Sequence, residues 1–180
     1  MKNNVLTFRI ILMSLIFMIS WFVIALYPID DAKQVSGEST GLLVPQTTDQ
    51  SGNKTTLKVF TDSLRGLVSK STELTGKYQL ELGKWTTKEN DNSTMISITD
   101  RYLSLFKDLE NEAADLAVPT GQENIKDSFV KSISSEAASY EHFKNYLITG
   151  NRTEDELSID NLSLAFQYEQ VYATFLLQNR

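Results

Sequence analysis

Tyrosine is the residue type in this chain with the most chemistry to offer. Six of its seven tyrosines lie between residues 57 and 180. If the helices predicted below alternate in direction, Tyr78, Tyr102 and Tyr140 occupy neighbouring layers of one core, with Phe166 close by. This layer has two interpretations. The favoured one places the tyrosines at the edge of the core with their hydroxyls in water, which is common for amphipathic side chains. In the other, the hydroxyls are buried and need hydrogen-bond partners, and the layer lines a small polar pocket for a small molecule or a cation.

Metal and thiol chemistry are restricted by composition. The chain contains no cysteine and one histidine, His142. These counts exclude disulfide scaffolds, thiolate zinc sites and iron–sulfur clusters, and also di-iron bundles, which need two Glu-x-x-His pairs. Haem bound by Met95 and His142 is also not expected, since His142 lies off the apolar stripe of its helix. The sequence therefore predicts no cofactor and no metal.

The charged residues indicate a solvated acidic surface. The chain has 23 acidic and 17 basic residues, for a net charge of −6, which argues against nucleic-acid binding. The carboxylates at 110–115 and 154–156 lack the oxygen-rich loop of a calcium site. Phosphate-binding loops, nucleophile elbows and dinucleotide fingerprints do not occur in the sequence. No acid–base pair with an orienting partner is evident either, so the protein is not expected to be an enzyme.

Four helices must position the tyrosines, because residues 57–180 show helical periodicity and no strand alternation. Apolar and small residues recur every three or four positions in segments 57–88, 92–117, 122–149 and 153–180. In the last segment the residues predicted to form the buried stripe are Leu157, Leu164, Tyr168, Val171, Tyr172 and Phe175. Short turns between these segments predict an all-α fold, an antiparallel up-down four-helix bundle with coiled-coil-like packing.

Local signals refine the helix ends. Asn92 or Ser93 is expected to cap the second helix, and Gly150 to end the third. Residues 153–156, Thr-Glu-Asp-Glu, form a capping-box pattern that opens the fourth helix. Gly76 favours a break in the first helix, because glycine costs about 1 kcal/mol relative to alanine in a helix interior.

The N-terminal residues 1–27 predict a membrane helix. Residues 10–27 contain no charge, and 18 residues of helix span roughly 27 Å, enough for a bilayer core. Lys2 and Arg9 precede this run, which places the N-terminus in the cytoplasm and the remainder outside it. We expect a signal anchor that makes the chain a single-pass membrane protein. The alternative is a signal peptide cleaved near Ala25, which would release a secreted protein.

Residues 28–56 are rich in Ser, Thr, Gln, Gly and Asp and predict a disordered linker between the anchor and an extracytoplasmic domain at 57–180. Sequons that could carry glycans occur at Asn53, Asn92 and Asn151, in the linker or in turns.

Together these features predict a non-enzymatic binding or accessory protein of the cell envelope, with a protein partner contacted through the bundle. A small-molecule or cation binder and an accessory subunit of a larger membrane complex remain the alternatives.

Overall fold

Four α-helices make up the part of the chain that the computed structural model describes, residues 50–180. They are α1 (Gln50–Thr86), α2 (Asn92–Ala114), α3 (Glu123–Thr149) and α4 (Arg152–Gln178). No strand occurs among these residues. The all-helical prediction is therefore confirmed for this region, and the helices form a bundle. The predicted membrane segment at residues 10–27 lies outside the described residues, as does most of the predicted linker.

Side-chain pairs show that neighbouring helices run antiparallel. Lys70 on α1 bonds to Glu112 near the end of α2, whereas Trp85 at the end of α1 bonds to Asn92 at the start of α2. The same pattern occurs between α3 and α4, where His142 bonds to Glu154 at the start of α4 and the earlier Ser132 donates to the carbonyl of Ala165, further along α4. Short turns of this kind leave adjacent helices no other arrangement.

The core is apolar and aromatic along the whole length of the bundle. Its most completely buried large side chains are Phe60, Leu64, Tyr78, Met95, Phe106, Phe129, Ile133 and Leu176. Packing between α3 and α4 is the most extensive, while α1 and α4 approach each other sparsely. They meet at one end, where the rings of Phe60 and Phe175 are 5.8 Å apart. Beyond this end, the space between α1 and α4 contains the site described below.

Two predicted helix starts differ in their capping residue. Asp91, in place of Asn92 or Ser93, caps α2, and its side chain accepts a hydrogen bond from the backbone N–H of Thr94. At α4 the cap is Asn151, whose side chain accepts from the N–H of Thr153, so the helix starts before the predicted capping box. In both cases the residue just before the helix has extended backbone, which is the geometry that a capping side chain needs.

Glycine has opposite effects at two positions. Gly150 ends α3 in the left-handed conformation at φ 68°, as predicted. Gly76, by contrast, does not break α1, which runs unbroken for 37 residues. Buried side chains lie on both sides of Gly76, at Ser71 and Tyr78, and packing of this face offsets the modest cost of one glycine. The helix begins at Gln50, inside the predicted linker.

The buried face of α4 differs from the predicted stripe. Leu157, Leu164 and Val171 are 37–39% exposed. The residues that α4 buries are Asp155, Ser158, Leu162, Ala165, Tyr172, Phe175 and Leu176. This face includes three small or polar residues that are not part of the predicted apolar stripe, Asp155, Ser158 and Ala165. The true inward face is therefore rotated relative to the apolar pattern.

No helix of the described region combines the length and the apolar character that crossing a bilayer requires.

Candidate functional site

The three predicted tyrosines form one buried aromatic cluster. The Tyr78 ring lies 5.2 Å from that of Tyr102 and 3.9 Å from that of Tyr140, between centroids. All three side chains are 5% exposed or less. Phe106 adds an edge-on contact with Tyr140. Edge-on pairs such as Tyr78–Tyr102 and Phe106–Tyr140 contribute to stability beyond their buried area.

Two of the tyrosine hydroxyls find partners inside the protein. Tyr78 Oη lies 3.0 Å from the hydroxyl of Thr99, and Tyr140 donates to a carboxylate oxygen of Glu136. The favoured interpretation, which leaves the hydroxyls in water, is therefore wrong for Tyr78 and Tyr140. Glu136, the partner of Tyr140, lines a polar cleft.

This polar cleft lies between α1, α3 and α4, next to the tyrosine cluster. Its lining residues come from all three helices and are mostly hydroxyl-bearing, acidic or small: Ser71, Thr72, Thr75, Ser132, Glu136, Leu162, Ala165, Phe166, Glu169 and Tyr172. The cavity volume is about 30 Å³. A volume of this size holds one or two water molecules and is far smaller than a site for a drug-sized ligand. Of the four residues predicted to bind a ligand, Phe166 alone lines this cleft.

Glu136 on α3 is the most deeply buried carboxyl group of the cleft, at 8% exposed. Its Oε1 accepts two hydrogen bonds, one from Thr75 Oγ1 at 2.7 Å and one from Tyr140. Its other oxygen, Oε2, accepts none from the residues that the structure describes. Burial raises the pKa of Glu136, and the two hydrogen bonds partly oppose that shift. Oε2 of Glu136 therefore remains available to accept hydrogen bonds inside the cleft.

Glu169 on α4 is the second carboxyl group of the cleft. Burial, assisted by the charge of Glu136, raises the pKa of Glu169 from 4.5 to about 7. Within residues 56–180 it makes no hydrogen bond or ion pair. Burial also raises the pKa of Tyr172 well above its ordinary value, and the charge of Glu169 adds to this shift. Tyr172 therefore stays neutral at physiological pH, and the negative charge of the cleft belongs to the two glutamates.

Sequence reasoning missed Glu136 and Glu169, although a signal was present. Ser132, Ser135, Glu136 and Ser139 are spaced by three, one and three residues, so they share one face of α3, and that face is buried. Small hydroxyl residues beside a charged one on an inward face are typical of a polar pocket. An apolar-periodicity search does not find them, because it counts hydrophobic residues alone.

The single histidine belongs to a surface pair. His142 Nδ1 lies 2.8 Å from Glu154 Oε2, and this hydrogen bond lowers the pKa of Glu154. Met95 is fully buried in the core on α2. Across the described residues, no group of three or more His, Cys, Asp or Glu side chains is arranged to hold a metal ion.

Two of the predicted glycosylation residues lie at one end of the bundle, Asn92 as the first residue of α2 and Asn151 as the cap of α4. Asn92 and Asn151 are exposed, and each uses its side-chain oxygen as an acceptor, from Trp85 Nε1 at 2.9 Å and from the N–H of Thr153 at 3.0 Å. The third, Asn53, lies in the first part of α1. Glycosylation at these positions stays a prediction.

The chain matches no protein-family model, no curated protein and no solved structure.

Proposed function

We propose that the helical bundle is a non-enzymatic binding domain whose polar cleft takes up a small cation. The observation that carries this proposal is the pairing of Glu136 and Glu169 in one cleft, with no basic side chain among its lining residues. Thr75 and Tyr140 supply hydrogen bonds to one carboxylate oxygen only. The cleft is therefore rich in acceptors and poor in donors, which suits a positively charged ligand.

The energetics of buried carboxyl groups support a cation. An ionised carboxylate that leaves water without a partner costs several kcal/mol, so it either keeps its proton or binds a positive charge. Burial raises the pKa of both Glu136 and Glu169, which favours the protonated forms as long as no positive charge is bound. A cation of suitable size would favour the ionised forms by its charge, and it would provide the donors or the coordination that Oε2 of Glu136 lacks.

The size of the cleft favours binding over catalysis. A cavity of about 30 Å³ admits one or two water-sized groups. Hydrolysis or group transfer needs the reacting part of a substrate, an attacking group and a general acid or base together in one site. We therefore assign the two glutamates to ligand binding and propose no catalytic residue.

The same proposal places the domain outside the cytoplasm. Its support is the uncharged run at residues 10–27, with Lys2 and Arg9 before it. As a signal anchor this run would hold the bundle at the outer face of the membrane, where it would sample cations of that compartment. Cleavage near Ala25 would release the same domain in secreted form.

Unfolding experiments on the full chain in mild detergent test cation binding. Ammonium, potassium, calcium and magnesium chloride are compared at constant ionic strength, balanced with tetramethylammonium chloride. A cation at 100 times its Kd stabilises the folded state by about 2.7 kcal/mol. We expect at least one cation to raise the free energy of unfolding of the natural protein, and Glu169→Gln to remove most of that effect.

Glu141→Gln is the matched control, because Glu141 is an exposed carboxylate on α3. It should respond to cations like the natural protein. A response that is the same in Glu169→Gln as in Glu141→Gln would place any bound cation outside the cleft and contradict the proposal.

A second candidate function is contact with a protein partner of the cell envelope, including a larger membrane complex. It is favoured by Leu157, Leu164 and Val171, which are exposed at seven-residue intervals and so share one face of α4. Co-purification from native membranes tests it. A stoichiometric partner should be lost with Leu164→Glu and retained with Ser163→Glu, a change at the exposed neighbouring position. Equal retention in both variants would exclude this face.

A further inference from the structure

We infer that the cation recognised by the polar cleft is the primary ammonium group of an alkylammonium ligand, such as an aliphatic amine, a polyamine or a lysine side chain. This inference rests on the proposed function and specifies its ligand. It is drawn from three features of the cleft, namely its acceptor arrangement, its apolar wall and its volume.

The acceptors of the cleft match the donors of an –NH₃⁺ group. Such a group has three N–H donors and carries one positive charge. The cleft offers the unpaired Oε2 of the nine-tenths buried Glu136, the carboxyl group of Glu169 and the hydroxyl of Ser132. Ser132 donates its own proton to the carbonyl of Ala165, and its oxygen, which is also hydrogen-bonded to the Tyr172 hydroxyl, keeps one lone pair as an acceptor. Three acceptors on two helices therefore face one small space.

One wall of the cleft is apolar, and an ion without an alkyl group would gain no binding energy from contact with it. Leu162, Ala165 and Phe166 line it along α4, among polar residues from the other two helices. Methylene groups attached to a bound ammonium can pack on this wall, as the stems of lysine side chains do on apolar surfaces.

The volume of the cleft selects against other cations. About 30 Å³ accommodates a group of the size of one or two water molecules, such as –NH₃⁺, but not a quaternary ammonium with four methyl groups. Calcium takes six to eight oxygen ligands, and magnesium keeps several of its waters. The lining supplies two carboxyl groups for such an ion, and no set of three or more metal-ligating residues exists within residues 56–180.

Isothermal titration of the full chain in mild detergent tests this inference. The probes are n-butylammonium, spermidine and Nα-acetyl-lysine methylamide, with tetramethylammonium, potassium and calcium for comparison. We expect the primary ammonium probes to bind and tetramethylammonium not to bind. The affinity should fall roughly tenfold or more in Glu169→Gln, because a charge-assisted hydrogen bond is removed. Tighter binding of spermidine than of the lysine probe would identify a free polyamine, and the reverse order a lysine side chain.

A second variant distinguishes binding of the ammonium head group from binding of the alkyl group of the ligand. Phe166→Ala should weaken n-butylammonium several-fold while leaving ammonium chloride unchanged, because only the butyl group contacts the apolar wall. Glu141→Gln should bind all probes normally, and far-UV circular dichroism checks that each variant is folded.

The failure of this inference is distinguishable from the failure of the proposed function. Binding of potassium or calcium without any primary ammonium would overturn the inference and leave the cation-binding function standing. Equal binding of tetramethylammonium and n-butylammonium would also overturn the inference. Binding of no cation at all would overturn both.

Discussion

Glu169 makes the stability of the bundle depend on pH in a direction opposite to that of most carboxyl groups. In the unfolded chain its carboxyl group is in water and ionises near pH 4.5, whereas in the folded bundle its pKa is about 7. Between these values the folded state holds a proton that the unfolded state has lost. The contribution of Glu169 to the free energy of unfolding should therefore be most favourable below pH 4.5 and should fall as pH rises through 7.

The size of this effect follows from the two pKa values. At about 1.4 kcal/mol for each pKa unit, the gap between 4.5 and about 7 corresponds to about 3 kcal/mol. Glu169→Gln replaces the carboxyl group by a neutral amide of nearly the same shape. The variant should lose this pH dependence, so its stability relative to the natural protein should rise by about 3 kcal/mol between pH 4.5 and pH 8. Glu136, whose pKa is also raised, remains in both proteins.

Urea denaturation followed by circular dichroism, at pH values from 4 to 8 and with small amines excluded from the buffer, measures this difference. Glu141→Gln is the control, since it removes an exposed carboxylate from the neighbouring helix α3. The reasoning would be refuted by a stability difference between Glu169→Gln and the natural protein that stays constant across this range. It would be refuted equally by a difference that grows in favour of the natural protein as pH rises.

Three further predictions concern the scaffold, and urea denaturation measures each of them. Gly150→Ala should destabilise the bundle by about 1 kcal/mol, because alanine is strained at φ 68°, whereas Gly66→Ala, on the exposed face of α1, should stabilise it by up to about 1 kcal/mol. The opposite result at either glycine would contradict the assigned backbone geometry. Tyr78→Phe should cost about 1 kcal/mol, because it removes the hydrogen bond to Thr99, and no change would show that water replaces it. Phe106→Ala should cost about 3–5 kcal/mol, since its ring is completely buried, and a loss below 1 kcal/mol would mean that the core collapses to fill the space.

The sequence predicts the helices well because their apolar residues recur with a helical period over long segments. The third helix, expected at 122–149, is observed at Glu123–Thr149, and Gly150 ends it in the conformation that few other residues adopt. The grouping of Tyr78, Tyr102 and Tyr140 follows from the same periodicity combined with alternating directions. Such contacts depend on where each residue lies along its helix axis, and the spacing of residues in the sequence gives this position directly.

The register of α4 and the polar cleft could not be predicted in this way. Leu164 and Val171 are expected on the buried face by their type, yet both are exposed, and the bundle buries Ala165, which is not expected there. Which face turns inward is decided by packing against α3, where Ser132 and Ala165 bring the two helices close together. The cleft depends on that close approach and on the opening beside α1, and both are properties of the assembled helices.

The meeting of α1 and α4 at one end has a consequence for the topology of the domain. Phe60 packs on Phe175, and the Arg65 guanidinium donates to the backbone carbonyls of Leu176 and Asn179. The end of α4 therefore lies beside residues 60–65 of α1, so a loop that joins it to a chain starting near Leu57 would close the four helices into a ring. In such a ring the new loop would connect two neighbouring helix ends, just as the turn between α1 and α2 does. The order in which the helices are connected is thus separable from the way they pack, and the bundle could be circularly permuted with its cleft intact.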